Sequence, residues 1–355
     1  MMSTEESHNT IVIGGGQAGL AAGYYLAQAG VDFEILDENP QIGAAWSKRW
    51  DSLRLFTPAK FNALPGMPFP AEAYYTPTKD EVAAYLKTYA ENFHLPVIMD
   101  MQVISLERGT DDFQIKAGER SFRARNVIVA TGAYQIPNIP SFAAQLDPAI
   151  FQLHSSAYRN PDQIPTGQVL VVGAANSGAE IALELKKTGR QVILSGRDVG
   201  RIPADRLGSY FGGRPYWWFI NNALTIDTPI GRKMRQQVLH HGNPLIRSNR
   251  KEVLHAGVEA APRMTQVSGG YPYLEDGRML EPAVIVWATG FKPDYHWIKL
   301  PIFDEYGFPK HERGVVNQVR GLYFLGLHFQ TGLTSALMGG VGKDAQSITR
   351  FMQNS

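Results

Sequence analysis

The sequence predicts an α/β fold made of two dinucleotide-binding (Rossmann-like) domains, the second inserted into the first. Three observations predict it. A strand–glycine-turn–helix signature, IVIGGGQAGLAAGYYLAQAG over Ile11–Gly30, recurs in looser form as LVVGAANSGAEIALELKKTGR over Leu170–Arg190. Two further strand-like runs each end in the tripeptide ATG, at Ala130–Gly132 and at Ala288–Gly290. The other apolar runs are short, β-branched and bounded by glycine, proline or polar residues, as strands covered on both faces are.

Taken in order, the strand runs are Ile11–Ile13, Phe33–Leu36, Val127–Val129, Val169–Val172, Val192–Leu194, Val284–Val286 and Leu322–Leu325. Each glycine turn leads into an Ala/Leu-rich helical segment, stopped by Gly30 and by Gly189. The aromatic, proline-rich stretch Trp46–Thr78 is too long for a plain connector, and such loops usually belong to a site. A helix over about Lys79–Phe93 follows, then alternation with Gly and Asp turns over Gln102–Arg125, which predicts a small antiparallel meander. Arg201–Lys251 is basic and aromatic and reads as part helix, part lid, with Tyr210–Asn222 as the lid proper. The expected division is 1–160 plus 281–355 for the first domain and 161–280 for the inserted one.

Composition narrows the function classes. A chain of 355 residues with 44% hydrophobic content has room for two or three cored domains. The net charge of +1 gives no field for nucleic acid. There are no cysteines, which excludes a redox dithiol, a thiolate nucleophile and an iron–sulfur cluster. The start MMSTEESHNT carries no signal segment, and no apolar run approaches the ~20 residues that span a bilayer. A cytoplasmic protein without membrane partners is expected.

In the first copy, Gly14-x-Gly16-x-x-Gly19 follows a strand and opens a helix at Gln17 and Ala18. The first glycine permits the tight turn, the second lets a pyrophosphate approach the backbone, and the third lets helix and strand pack closely. The helix N-terminus adds amide donors and a positive dipole end. Asp37, with Glu38 beside it, ends the second strand 18 residues past Gly19. A carboxylate there accepts hydrogen bonds from both ribose hydroxyls and repels a 2′-phosphate, as suits FAD or NAD.

A shift of 159 places Gly14 on Gly173, Gly19 on Gly178, Gly30 on Gly189 and Asp37 on Gly196. The ribose-reading acid is gone, and Arg197 stands next to its place. Replacing a carboxylate by a guanidinium is how a site accepts a 2′-phosphate. Gly173, Asn176, Ser177 and Gly178 would form this second cradle, for NADPH, with Ala175 where the first copy has Gly16. Thr131 and Gly132, and Thr289 and Gly290, suit chain crossings close over a bound dinucleotide.

Together these motifs resemble flavin-dependent monooxygenases of class B, in particular compact bacterial members and the plant auxin-forming relatives. The resemblance is carried by GGGQAG, ILDENPQIGAAW, SLRLFTPAKFNALPGMPFP, VIVATGAYQIPNIP, LHSSAY, VVGAANSG, VIVWATGFKPDY and GLTSALMGGVGKDAQSI. It implies FAD on the first copy and NADPH on the second, with tolerance of NADH left open. It further implies a C4a-(hydro)peroxyflavin that passes one oxygen from O2 to a small substrate, either a soft N or S nucleophile (sulfoxidation) or a ketone (Baeyer–Villiger insertion). The family's G-G-x-W stands here as Gly43-Ala44-Ala45-Trp46, which puts Trp46 at the flavin. The linker fingerprint keeps His154 and Tyr158 but has Pro148 and Ile150 in place of Phe and Gly, and its Tyr158 end leans toward heteroatom oxidation. The flavin-facing loop has Pro58 where many members carry asparagine, leaving Pro58 and Asn62 as candidates there. A helix running from Gly332 would lend the amides of Leu333 and Thr334 to the flavin pyrimidine edge.

Other chemistries lack support. His240, His241, His255 and His328 show no zinc-ligand spacing, so no metal is expected. G-x-S-x-G is absent. Trp217 and Trp218 read as core first and substrate entrance second, and Lys343 and Asp344 as an exposed helical turn. Two rival functions remain: a flavin reductase or oxidase that passes electrons to a partner or to O2, and a flavin-binding accessory protein without turnover. The oligomeric state is open, a homodimer among the options.

Overall fold

A computed structural model describes residues 5–202, 213–241 and 244–354. The first sheet has the order β3-β2-β1-β6-β5-β4, with β16 also on β6. Its strands are β1 (Glu5–Ile13), β2 (Phe33–Leu36), β3 (Val97–Ile98), β4 (Val103–Arg108), β5 (Phe113–Ala117), β6 (Arg120–Val129) and β16 (Leu322–Phe324). The end of β6, Val127–Val129, runs parallel to β1 and β16, while its first half pairs antiparallel with β5. One long strand thus joins the nucleotide sheet to the meander expected from the sequence. The run Leu322–Leu325 ends one residue early.

The second sheet is parallel throughout, in the order β11-β10-β9-β14-β8, with β8 (Phe151–His154), β9 (Val169–Val172), β10 (Val192–Ser195), β11 (Glu259–Ala261) and β14 (Val284–Trp287). The internal repeat is a structural repeat. Helix α1 (Gln17–Gln28) and α4 (Asn176–Lys187) are offset by 159 at both ends, and so are β2 and β10. Gly30 and Gly189 adopt φ of +65° and +83° just past these helices, the left-handed stop that glycine supplies at least cost.

This topology corrects the expected division. Phe151–His154 and Val284–Trp287, assigned above to the first domain, flank β9 or extend its sheet because they complete its hydrogen-bond ladder. We therefore propose crossings at two short strands, β7 (Ile136–Pro137) and β15 (Phe291–Lys292). These pair with each other antiparallel and form a double connection between the units.

Burial follows the parallel-sheet pattern. Val12 and Ile35 face one core with α1, α3 (Lys79–Asn92) and the C-terminal helix α8 (Met338–Gln353), whereas Ile11, Ile13 and Leu36 face another under the meander. Val169 and Val171 pack on α4, while Leu170 and Val172 face the opposite side with Trp287. Helix α3 begins with a full capping box, Thr78 with Glu81, which fixes its start at the expected Lys79. Between α4 and α8 lie α5 (Arg214–Ala223), α6 (Pro229–His241) and α7 (Arg250–His255). No helix among the described residues is long and apolar enough to cross a membrane.

Candidate active site at the junction of two nucleotide cradles

The two glycine turns are built to one plan down to individual contacts. A Cβ on Gly14 would stand 2.6 Å from the Ala130 carbonyl oxygen, and one on Gly173 would stand 2.2 Å from that of Ala288. Both glycines also have positive φ, +108° and +111°. Gly14 N–H donates to Leu36 C=O at 2.7 Å, and Gly173 N–H to Ser195 C=O at 2.8 Å. Each ATG strand therefore presses its alanine carbonyl on the first glycine of its turn, so ATG and turn act as one unit.

Where a dinucleotide would lie, the first turn is open: nothing comes within 4 Å of a Cβ position on Gly16, and the same holds at Gly132 and Gly290. Gly16 and Ala175 are the N-caps of α1 and α4, with no side chain on the cap, so the first amides of Gln17 and Ala18, and of Asn176 and Ser177, face outward as an anion site needs. The residues fit the two dinucleotides. Ala175 narrows the second approach by one methyl.

The ribose positions differ by an exchange of space that sequence alone does not show. Asp37 accepts a bond from Gly15 N–H at 2.6 Å and holds Asn39 N at 2.8 Å. A side chain on Gly15 would crowd the Asp37 Cβ at 3.1 Å. In the second copy the pair is reversed. Ala174 replaces Gly15, and a Cβ on Gly196 would stand 2.8 Å from Ala174 N. The carboxylate is therefore sterically shut out, not merely absent. Glu38 is exposed beyond Asp37. Arg197 is exposed on the rim of a shallow cleft with Ala174, Leu245 and Arg250.

Several candidates serve the framework. Asn176 spends its side chain on the Pro244 carbonyl (2.9 Å) and Ile246 N–H (3.0 Å), fastening a neighbouring loop to the second turn. The Ser177 hydroxyl has no hydrogen-bond partner among the described residues. Thr289 Oγ1 donates to the Asn138 carbonyl, and Asn138 N–H returns a bond to Gly290 C=O at 2.9 Å, so this pair secures the crossing. Thr131 Oγ1 accepts from Gln135, whose own carbonyl holds Asp294 N–H. Gln135 and Asn138, missed in the sequence, thus stitch the two ATG segments together. The clue was the polar pair inside the Pro-rich run YQIPNIP.

His154 is 5% exposed. Its Nε2 lies 3.0 Å from the Gly290 carbonyl, and Ser156 N–H meets its Nδ1 at 3.1 Å, which fixes the neutral tautomer with the proton on Nε2. Burial lowers its pKa in agreement. Tyr158 is fully buried and donates to Glu184 Oε2 at 2.8 Å, tying the linker to α4.

On the flavin side, Trp46 Nε1 donates to Gln17 Oε1 at 3.1 Å, and Gln17 Nε2 donates to the Ala336 carbonyl at 3.1 Å. One glutamine side chain thereby joins the first turn, the tryptophan and the segment before α8. Asn62 is 2% exposed, with Nδ2 on the Thr57 and Pro58 carbonyls (2.7 and 3.1 Å) and Oδ1 accepting from Thr57 Oγ1. Its amide is spent on bending the loop and has nothing left for a flavin adduct. Pro58 caps the short 3-10 turn Ala59–Phe61.

The C-terminal segment departs from expectation in three ways. The helix starts at Met338 rather than near Gly332, because Thr331–Leu337 is held in turns by Ser335 Oγ, which accepts from Thr331 N–H (3.0 Å) and Gly332 N–H (3.1 Å). Leu333 N–H is already taken by the Leu224 carbonyl at 3.0 Å, and Thr334 Oγ1 donates to Asn221 Oδ1 at 2.8 Å. Asp344 is 3% exposed instead of lying on an exposed turn, because it receives the Thr331 hydroxyl beneath that loop, and burial raises its pKa. Lys343 is exposed as expected. The glycines of MGGVG have a reason: a Cβ on Gly339 would sit 1.8 Å from the Phe61 carbonyl, and one on Gly340 2.1 Å from that of Thr334.

A cavity of about 170 Å³, open at its mouth, lies between these parts, lined by Thr57, Phe61, Trp217, Asn221, Thr334 and Leu337 among others. Trp217 is buried and meets the Phe61 ring at 4.8 Å, while Trp218 is 67% exposed. The tryptophan pair thus divides: one ring is both packing and cavity wall, the other faces solvent. Of the expected lid, Tyr210–Gly212 lies outside the described residues, as do the side chains of His240 and His241. Glu6, His8 and Glu34 bring ligand-type atoms within 4.8 Å of one another, but the Glu6 carboxylate is held by Arg120 through Nε and Nη2.

Residues 11–206 match the family described as Pyridine nucleotide-disulphide oxidoreductase. The chain belongs to that family. It is 40% identical over 349 residues to an uncharacterized oxidoreductase CzcO-like of Geobacillus kaustophilus, covering 98% of both chains. It is 27% identical to the probable indole-3-pyruvate monooxygenase YUCCA9 of Arabidopsis thaliana, over 97% of this chain and 88% of that one. Among solved structures, the flavin-containing monooxygenase from Stenotrophomonas maltophilia superposes with a TM-score of 0.80 at 28% identity, covering 98% and 99% of the two chains. The protein is a flavin-dependent oxidoreductase of the class B monooxygenase type, with FAD and NADP(H) as its cofactors. Without a single cysteine, it cannot perform the dithiol chemistry in the family's description.

Proposed function

We propose that this oxidoreductase is an NADPH-dependent FAD monooxygenase that transfers one oxygen atom of O2 to a small organic molecule, a soft nitrogen or sulfur nucleophile or a ketone. The observation that carries the reading is the pair of matched cradles with opposite ribose chemistry, Asp37 against Gly196 and Arg197, stitched together by Gln135 and Asn138. One cradle suits an adenosine with free ribose hydroxyls and the other suits one with a 2′-phosphate.

In this reading Gly14, Gly16, Gly19, Gln17, Ala18, Asp37 and Trp46 hold the FAD. Gly173, Gly178, Ala175 and Arg197 hold the NADPH. Bound there, the pair supplies hydride transfer and oxygen activation, which no side chain provides. The protein excludes water and fixes geometry. The Thr57–Asn62 knot stiffens the loop at the cavity, and the Phe61–Trp217 pair gives it an apolar wall. Asn221 and the Thr334 hydroxyl offer polar contacts for orienting a substrate. The kinship with indole-3-pyruvate monooxygenases supports a substrate that combines an aromatic or apolar body with a carbonyl.

A second reading, an oxidase that releases peroxide, is favoured by one observation: the Asn62 amide is fully spent and Pro58 offers no donor, so neither of these two residues brings a free side-chain hydrogen bond to the flavin. The experiment that separates them reduces the FAD-loaded protein with NADPH under anaerobic conditions, admits O2, and counts peroxide against NADPH consumed. A long-lived absorbance transient with little peroxide supports the monooxygenase. Immediate reoxidation with one peroxide per NADPH replaces it by the oxidase, and no reduction by NADPH leaves only a binding role.

A further inference from the structure

One cation at the junction of the two units has no counter-charge among the described residues. Arg49 lies three residues beyond Trp46, and its guanidinium carbon stands 5.6 Å from the centre of the Tyr134 ring and 5.5 Å from that of Phe291. Tyr134 follows the first ATG and Phe291 the second, so a single side chain touches both crossings. Its Nε donates to the Ala45 carbonyl at 3.2 Å, which leaves both terminal nitrogens without a hydrogen-bond partner among the described residues. Arg159 is the cation that acts on it, and among the described residues Arg159 Nη1 donates only to the carbonyls of Ser156 (2.9 Å) and Tyr158 (3.0 Å). Neither guanidinium has a carboxylate within 4 Å among the described residues. His154, facing the same Phe291 ring, is neutral in the tautomer fixed by Gly290 and Ser156.

Two like charges held near each other without an acid is an arrangement that an anion relieves. Burial pulls the Arg49 guanidinium below its usual range against an opposing upward effect of Tyr134, and the charge of Arg159 adds to the lowering. The rings of Tyr134 and Phe291 hold the planar fork in place, so little side-chain freedom is lost when it is used. We propose that Arg49, backed by Arg159, is an oxyanion site that receives one phosphate or carboxylate group in paired hydrogen bonds. Two sources carry this chemistry: the diphosphate of the pyridine nucleotide, and a carboxylate on the substrate. The inference uses the cofactor assignment but does not depend on oxygen transfer.

The test is calorimetric titration of FAD-loaded protein with inorganic pyrophosphate, with NADP⁺ and, separately, with phenylpyruvate. It compares wild type with Arg49→Gln, Arg49→Lys and Arg159→Gln. Wild type is expected to bind at least one probe, and Arg49→Gln to weaken that binding roughly 10–100-fold with unchanged FAD content. Arg49→Lys, which keeps the charge and loses the fork, should fall between, and Arg159→Gln should weaken binding several-fold. A loss confined to pyrophosphate and NADP⁺ assigns the coenzyme as the source, and a loss confined to phenylpyruvate assigns the substrate. Equal affinities in wild type and Arg49→Gln, or no binding of any probe to wild type, overturn the proposal. Should Arg49→Gln fail to hold FAD, Arg49→Lys decides, and wild-type affinity there overturns it. Because no O2 or turnover enters the titration, the site can stand while the monooxygenase reading falls, and the reverse.

Discussion

Gly19 is pressed against Gly14: a Cβ on Gly19 would lie 1.8 Å from the Gly14 carbonyl oxygen, and Gly178 repeats the contact on Gly173 at the same 1.8 Å. The first and third glycines of each turn therefore serve helix–strand packing. The middle position, Gly16, has open space above it and an ordinary φ of −77°.

This division makes a paired prediction. Gly14→Ala should destabilise the protein by more than the ~1–3 kcal/mol of backbone strain alone, since its Cβ also meets the Ala130 carbonyl. Gly16→Ala should leave the thermal midpoint of the cofactor-free protein within a degree or two and yet lower retained FAD after dialysis. Full flavin retention by Gly16→Ala would show that the dinucleotide does not need the close backbone approach that glycine allows at this residue.

In the proposed reading, coenzyme choice rests on Arg197. Arg197→Ala should raise the KM for NADPH roughly 10–100-fold, the loss of one charge-assisted bond, and barely change that for NADH. Steady-state kinetics with both coenzymes checks this. An equal response to both would remove Arg197 from the site. Restoring an acid by Gly196→Asp should fail to create a working NADH site, because Ala174 fills the space its side chain would need.

Stability should depend on pH through α4. Glu180, 11% exposed and 3.0 Å from Arg247, has its pKa pushed up to about 7, by burial against the pull of Arg247 and with the help of Glu184. The folded state therefore favours its protonated form. That contribution, at most about 3 kcal/mol, is full below about pH 4.5 and is lost as pH rises through about 7. Denaturant midpoints measured across this window should fall with rising pH in wild type and flatten in Glu180→Gln. An identical slope in both proteins would place the titration elsewhere.

How far the sequence could be read depended on whether the cause was local. The strands flanking each turn and the helix at Lys79 carry their own signals: buried β-branched runs, glycine stops, a Thr78–Glu81 capping box. The domain crossings did not, because β8 belongs to the second sheet only through its ladder with β14, a partner more than 100 residues away in the chain. The two glycine turns were visible residue by residue, including the exchange of Asp37 for Gly196. Why no acid fits the second could not be seen, since it depends on Ala174 touching Gly196 across the turn. Asn62, Leu333 and Asp344 were placed by motif or by a lone charged pair. Their actual partners, Thr57, the Leu224 carbonyl and the Thr331 hydroxyl, are set by loop packing that leaves no periodic trace.

The most direct test is a crystal structure of the protein with FAD and NADP⁺ bound. The account predicts the FAD ribose hydroxyls on the Asp37 carboxylate and the NADP⁺ 2′-phosphate beside Arg197. Density that puts the two adenosines the other way round, or leaves either turn without one at saturating coenzyme, would contradict it.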